Sequence, residues 1–213
     1  MNSASIIMNT KVKQLIALGV TIVALALLYL SAYLPYVKST LYINALQKAQ
    51  QATTVQDYLA PFQTAFDFWS PVGQPEELRF FGNDILSLLT NQKQQLPQDV
   101  ATALVNYAVN ELSSNPPGAK GLNYSQSILI EASIFSAYGQ EYKQAGALQK
   151  AEELYKEGLQ LSPNRPQFLY GLFSLYLAEG NAAAAKPLGE EILKYWPNDP
   201  NIPGIMAQLS AAK

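Results

Sequence analysis

Histidine and cysteine are both missing from the 213 residues. Without them there is no Ser-His-Asp or Cys-His nucleophile pair, no thiol redox centre, and no zinc site built from imidazole or thiolate. Charge is scarce as well: charged residues make up 14% of the chain, with 14 Lys and Arg against 16 Asp and Glu, for a net charge of -2. Broad nucleic-acid binding needs clustered cations to neutralise phosphates, so that class is excluded as an expectation. Alternating strand-like runs bounded by hairpin signals are also lacking, which points to an all-α class. What the chain has in quantity is apolar surface, at 49% of residues.

That surface is concentrated near the N-terminus. From Gln14 to Val37 there are 24 consecutive uncharged residues, and Leu15 to Leu30 is almost entirely Leu, Val, Ile and Ala. A hydrocarbon layer roughly 30 Å thick is crossed by about 20 helical residues, so this stretch is long enough to span. Tyr29, Tyr33, Tyr36 and Tyr42 crowd its far end, as in an interfacial aromatic belt. The rival reading is a cleaved signal peptide with a weak site at Leu30-Ser31-Ala32. Lys11, Lys13 and the terminal amine before the span, against Lys38 and Lys48 after it, favour a cytoplasmic N-terminus and an extracytoplasmic remainder. Residues 38 to 213 carry 12 basic and 16 acidic residues, so they offer no polybasic surface for anionic lipid.

Beyond the span the pattern is helix after helix. Residues 39 to 52 prolong the membrane helix. Thr54 is an N-cap with Asp57 three places on, opening a helix whose apolar side carries Leu59, Phe62, Phe66 and Trp69, and Ser70-Pro71-Val72-Gly73 stops it. Pro75, Glu76 and Glu77 suit the first turn of the next helix, with Phe80, Phe81, Ile85, Leu88 and Leu89 as its apolar face. Val100, Leu104, Tyr107, Ala108 and Leu112 mark a further helix from about Gln98 to Ser113, and Asn115-Pro116-Pro117-Gly118 breaks the chain after it.

The most informative feature is a period of 34: Phe135, Tyr138, Tyr142, Gly146, Ala151, Leu159, Pro163 and Asn164 recur as Leu169, Leu172, Tyr176, Gly180, Ala185, Leu193, Pro197 and Asn198. With Tyr138-Gly139, Tyr155 and Pro163, the segment resembles the tetratricopeptide repeat family. The second unit departs from the pattern. Phe173 stands where a small residue is expected, Gly189 where an aromatic is expected, and Pro187 falls early in the second helix, so looser packing or a helix start past Ala183 is expected there. The resemblance implies a solenoid of antiparallel helix pairs, since one pair cannot bury its own apolar face and must stack.

The expected organisation is a cytoplasmic segment at 1–13, a transmembrane helix at 14–37, degenerate helical repeats at 38–123, and repeats at 124–213. The last region comprises units 132–165 and 166–199 and a C-terminal capping helix. The resemblance implies a partner-binding groove lined by Ser133, Ser136, Gln140, Lys143, Gln144, Gln167, Tyr170, Ser174 and Leu177. This surface is nearly neutral, unlike a basic clamp for acidic tails, and its hydroxyl, amide and tyrosine groups suit an uncharged peptide or a sugar chain, as they would suit solvent.

No catalytic, metal or cofactor site is expected. The pairs Glu76-Glu77, Glu152-Glu153 and Glu190-Glu191 point about 100° apart on their helices and make no acid/base dyad. Ser210-Ala211-Ala212-Lys213 lacks the companion motifs of penicillin-recognising enzymes, and Gly118-Ala119-Lys120-Gly121 lacks phosphate-loop spacing. A second resemblance concerns the layout. Gln63-Thr64-Ala65-Phe66, Gly73 through Arg79, and Leu161-Ser162-Pro163-Asn164-Arg165 together look like the C-terminal tail of bacterial O-antigen ligase or polymerase-like membrane proteins, without their catalytic membrane helices. The expected function is a non-enzymatic, membrane-anchored adaptor for another membrane or exported protein, the alternative being an accessory module in envelope polysaccharide assembly.

Overall fold

A computed structural model describes residues 10–91, 95–113 and 121–211. Residues 1–9 of the expected N-terminal segment, the Asn115 to Gly118 break and Lys213 lie outside the described residues. Among the described residues the chain is all-helical, with no strand. It divides into two units, Met1–Gln74 and Pro75–Lys213.

The first unit is built on one continuous helix of 40 residues, Thr10–Ala49. At about 1.5 Å per residue it is roughly 60 Å long, about twice a hydrocarbon layer. Its first part, α1 (Thr10–Leu28), buries nothing, and its leucines, isoleucines and valines stand exposed. A wider π turn follows at Tyr29–Tyr33, where the Leu34 N–H donates to the Tyr29 carbonyl, five residues back. Pro35, next in the chain, has no N–H to donate, and a π turn re-registers a helix at such a point. The helix resumes as α2 (Leu34–Ala49) and packs against α3 (Val55–Asp67).

The α3 start is capped as its sequence requires: Thr54 Oγ1 accepts from the Asp57 N–H at 3.0 Å and donates to the Asp57 carboxylate at 2.7 Å. Phe62, Ala65 and Phe66 are buried. Two expectations fail in this unit. Tyr42 is not part of an interfacial belt but is buried, its ring 5.7 Å from Phe62 and 6.2 Å from Phe66. Trp69 does not join the apolar face of α3, because the backbone turns extended at Phe68 and leaves the indole 66% exposed.

In the second unit α4 (Gln74–Leu89), α5 (Gln98–Leu112), α6 (Leu122–Glu141), α7 (Ala145–Leu161), α8 (Pro166–Ala178), α9 (Ala182–Tyr195) and α10 (Ile202–Ala211) follow in order. Leu78, Phe81, Ile85 and Leu89 form the buried face of α4, while Phe80 points outward with the Arg79 guanidinium 5.2 Å from its ring. The core cluster runs from Ile128 and Ala132 through Ala151, Tyr155, Phe168, Leu172 and Phe173 to Ile192 and Ile202. Phe168 and Leu175 are fully buried, so the apolar face that one helix pair leaves open is covered by the next.

The pair α8/α9 differs from the sequence expectation. Helix α9 starts at Ala182, not beyond Ala183, because Asn181 caps it by accepting from the Ala184 N–H, and Pro187 is absorbed inside the helix. Packing is close rather than loose: Phe173 is 2% exposed, and its ring passes Gly189 so nearly that a Cβ there would lie 3.1 Å from it.

Candidate partner-binding groove

In each helix pair the first helix, α6 then α8, carries the residues expected to face a partner. On α8 one stripe stays open, at helical spacing: Gln167 and Ser174 are exposed, and Tyr170 and Leu177 half-buried. The opposite side, with Phe168, Leu169, Leu172, Phe173, Leu175 and Tyr176, is core.

Helix α6 is covered more completely, since it packs against α5, α7 and α8. Ser136 is therefore buried, contrary to its expected exposure, and accepts a hydrogen bond from Gln140 Nε2 at 2.9 Å. Ser133 is half-buried, donates to the Leu129 carbonyl, and lies 3.4 Å from the Tyr155 hydroxyl. Burial pushes that phenol upward in pKa, against the opposing hydrogen bonds from the two serines. Both serines thus serve the α6–α7 contact more than any partner.

The turn from α6 to α7 holds the next candidates. Gln144 is the N-cap residue of α7 and donates from Nε2 to the Tyr142 carbonyl, so its amide is spent within the turn. Lys143 is exposed and left-handed, with φ of 56°. Together with Gln140, Gly139, Ala145, Leu148 and Ala178, it lines a cleft of about 330 Å³.

Tyr170 sits at the other end of α8. Its hydroxyl donates to Asp199 Oδ2 at 2.5 Å, and its ring lies 5.9 Å from that of Trp196. Asp199 Oδ1 accepts from the Asn201 and Ile202 N–H groups at 2.8 Å, capping α10. Burial, then the hydrogen bond and charge of Asp199, push the Tyr170 hydroxyl up to about 12, while the Tyr170 bond and the two amides hold the Asp199 carboxyl below the usual range. The family resemblance places Tyr170 on an open face; it does not show that the hydroxyl is committed to Asp199, ahead of α10.

Similar tyrosine ties recur through the second unit. Tyr124 donates to Glu157 at 2.8 Å, Tyr142 to the Leu96 carbonyl at 3.0 Å, and Tyr176 to Glu152 at 2.7 Å. Each joins two elements with a ring as spacer and one hydrogen bond as latch. The sequence reading also missed a pocket of about 580 Å³ lined by Gly121, Leu122, Ser125, Leu161, Ser162 and Arg165. There Arg165 donates to Ser125 Oγ at 2.6 Å, and its guanidinium lies 5.4 Å from the Phe168 ring. The residues from Leu161 to Arg165 carry the signal, although the period of 34 takes Pro163 and Asn164 only as a repeat boundary.

Among the described residues no cluster of acidic, histidine or cysteine side chains could hold a metal ion. The arrangement offers donors, acceptors and ring faces along helices, which suits contact with another chain.

Residues 142–209, covering α7 to α10, match the tetratricopeptide repeat family, whose members present protein-interaction surfaces. Over 119 residues, 55% of this chain, the sequence is 30% identical to the cellulose synthase operon protein C of Pseudomonas fluorescens (strain SBW25). The aligned stretch spans 9% of that relative's length. No solved structure matches the chain.

Proposed function

We propose that the protein is a membrane-anchored adaptor, with residues 14–37 in the bilayer and the helical repeats holding another membrane or exported protein. The observation that carries this reading is the repeat match over α7 to α10, combined with the exposed Gln167 and Ser174 on α8. Gln140, Lys143 and the cleft at Ala178 extend that surface, and its single positive charge favours an uncharged segment. Tethering raises the effective concentration of such a surface near membrane partners without any new contact. The flanking charges orient the N-terminus toward the cytoplasm.

The test is a pull-down from crosslinked native membranes with the wild type and with Lys143→Ala/Gln167→Ala/Ser174→Ala. These side chains are solvent-facing, so helicity is retained while capture falls; unchanged capture would remove this stripe as the contact surface. Protease protection of intact cells reads the topology.

A second reading is favoured by the similarity to a protein named for a cellulose synthase operon: a non-catalytic module in envelope polysaccharide assembly, as the O-antigen ligase-like layout also suggests. Tyr195, Trp196 and Tyr170 would then supply ring faces for a glycan. Recovery of a multi-spanning glycosyltransferase in the same pull-down supports this reading, and recovery of diverse exported proteins supports the first.

A further inference from the structure

Helix α3 runs antiparallel to α2. Moving back along α2 from Tyr42 to Lys38 moves forward along α3, from Phe62 and Phe66 to Ala65 and Phe68. The chain therefore leaves the apolar span on α2 and returns toward it on α3. Lys38 sets how far it returns. This side chain is 1% exposed, and its ammonium donates to the Ala65 carbonyl at 3.0 Å and the Phe68 carbonyl at 2.8 Å, closing the C-terminus of α3.

Lys38 is the residue that ends the uncharged run from Gln14 to Val37. Helical side chains lean toward the helix N-terminus, which on α2 is the direction of the span. The carbonyl of Phe68 is thus held level with the end of the span, near the exposed Tyr33 and Tyr36, which lie about 7.5 and 3 Å from Lys38 along the axis. Immediately after Phe68 come Trp69, 66% exposed, then Pro71, exposed, and Val72, 59% exposed, with no charge from Phe68 through Gly73.

An uncharged loop with an outward indole is unfavourable in bulk water and suited to the headgroup layer, where amphipathic rings gather. We infer that the Trp69–Val72 loop is a second membrane contact, lying in the interfacial layer of the same bilayer that the helix over 14–37 enters. The occupant of this surface is lipid, argued from its level on the spanning helix. This inference rests on the membrane reading of that helix. With two points of contact, the α2–α3 hairpin is held at the surface and cannot swivel freely on one stalk.

The chain has two tryptophans and no cysteine, which makes the test direct. Full-length Trp196→Phe is reconstituted into phosphatidylcholine vesicles, leaving Trp69 as the reporter. A Leu18→Cys variant labelled with bimane reports the span separately. The expected result is a blue-shifted Trp69 emission, quenched more by lipid spin-labelled near the headgroup than at the acyl terminus, and shielded from aqueous iodide. Red-shifted emission quenched by iodide and by neither lipid, with bimane at position 18 quenched by the deep label, overturns the inference alone. If the bimane is also unquenched by lipid, the spanning helix itself is refuted. Should Trp196→Phe lower the yield, bimane on Trp69→Cys in the otherwise unaltered chain gives the same readings.

Discussion

The Phe173 ring occupies the space that Gly189 leaves open. The equivalent positions 34 residues earlier are Gly139 and Tyr155, and there the two do not pair: a Cβ at Gly139 would meet the Leu148 side chain. The Tyr155 ring on α7 instead fills the space beside Gly171 on α8, where a Cβ would lie 2.4 Å from its Cε1. On α9, Gly189 leaves room for both Phe173 of α8 and Met206 of α10. At Gly171 and at Gly189 alike a ring fills the space a side chain would take, and filled volume is what a close-packed core responds to.

Glycines at such crossings are not equally tolerant. A Cβ at Gly158 would fall 2.1 Å from the fully buried Phe168 ring, whereas at Gly189 it would fall 2.3 Å from the sulfur of the half-buried Met206. The thioether can rotate aside and the ring cannot. Gly158→Ala is expected to cost about 3 kcal/mol and Gly189→Ala about 1 kcal/mol. Thermal melts of the two variants followed by circular dichroism check the order, and Met206→Ala should recover part of the Gly189→Ala loss.

Glu131 predicts a pH dependence. It is 7% exposed, accepts from Ser113 Oγ at 2.9 Å, and is raised from 4.5 to about 7 mainly by burial, with Glu157 adding to the effect and Ser113 and Lys150 opposing it. The folded chain then binds more protons than the unfolded one between pH 4.5 and about 7. The stabilisation from neutral Glu131 is fully present below that window and is lost as pH rises through it, on the order of 3 kcal/mol. Glu131→Gln should raise the melting temperature at pH 8 and flatten the profile across the window. An unchanged profile would remove Glu131 as its source.

Lys143 allows binding and stability to be separated. Its φ of 56° is strained for a residue with a Cβ and open to glycine. Lys143→Gly is expected to stabilise by about 1 kcal/mol while removing the one cation of the proposed groove. A higher melting temperature combined with weaker capture in the pull-down is the expected pair of results.

Lys38→Met removes the donor to the Ala65 and Phe68 carbonyls at the end of α3. Leaving buried acceptors without their donor costs about 1–3 kcal/mol. The amides of α3 should then exchange hydrogen faster while those of α7 keep their rates, which hydrogen exchange by mass spectrometry resolves.

Tyr170→Phe keeps the ring against Trp196 and deletes the bond to Asp199, which still caps α10 through the Asn201 and Ile202 amides. Fraying of α10 should increase modestly, seen as faster exchange at Ile202 and Ile205. Asp199→Ala removes the cap itself and should increase it further.

Much of this architecture was present in local sequence signals. Helix class, the Thr54 cap and the break after Asp67 depend on spacing and turn chemistry within a few residues, and the 34-residue period reports stacking because every unit must cover its neighbour. The long uncharged run likewise declares itself by length. Tertiary structure alone decided which polar groups remain free. The repeat resemblance makes Ser136 and Tyr170 surface residues, but burial and hydrogen bonding depend on how many neighbouring helices crowd a face, and Asp199 lies 29 residues from Tyr170. For the same reason Lys38, a flanking charge in the sequence, is a buried cap in the fold: its partners are 27 and 30 residues away, and no local pattern encodes them.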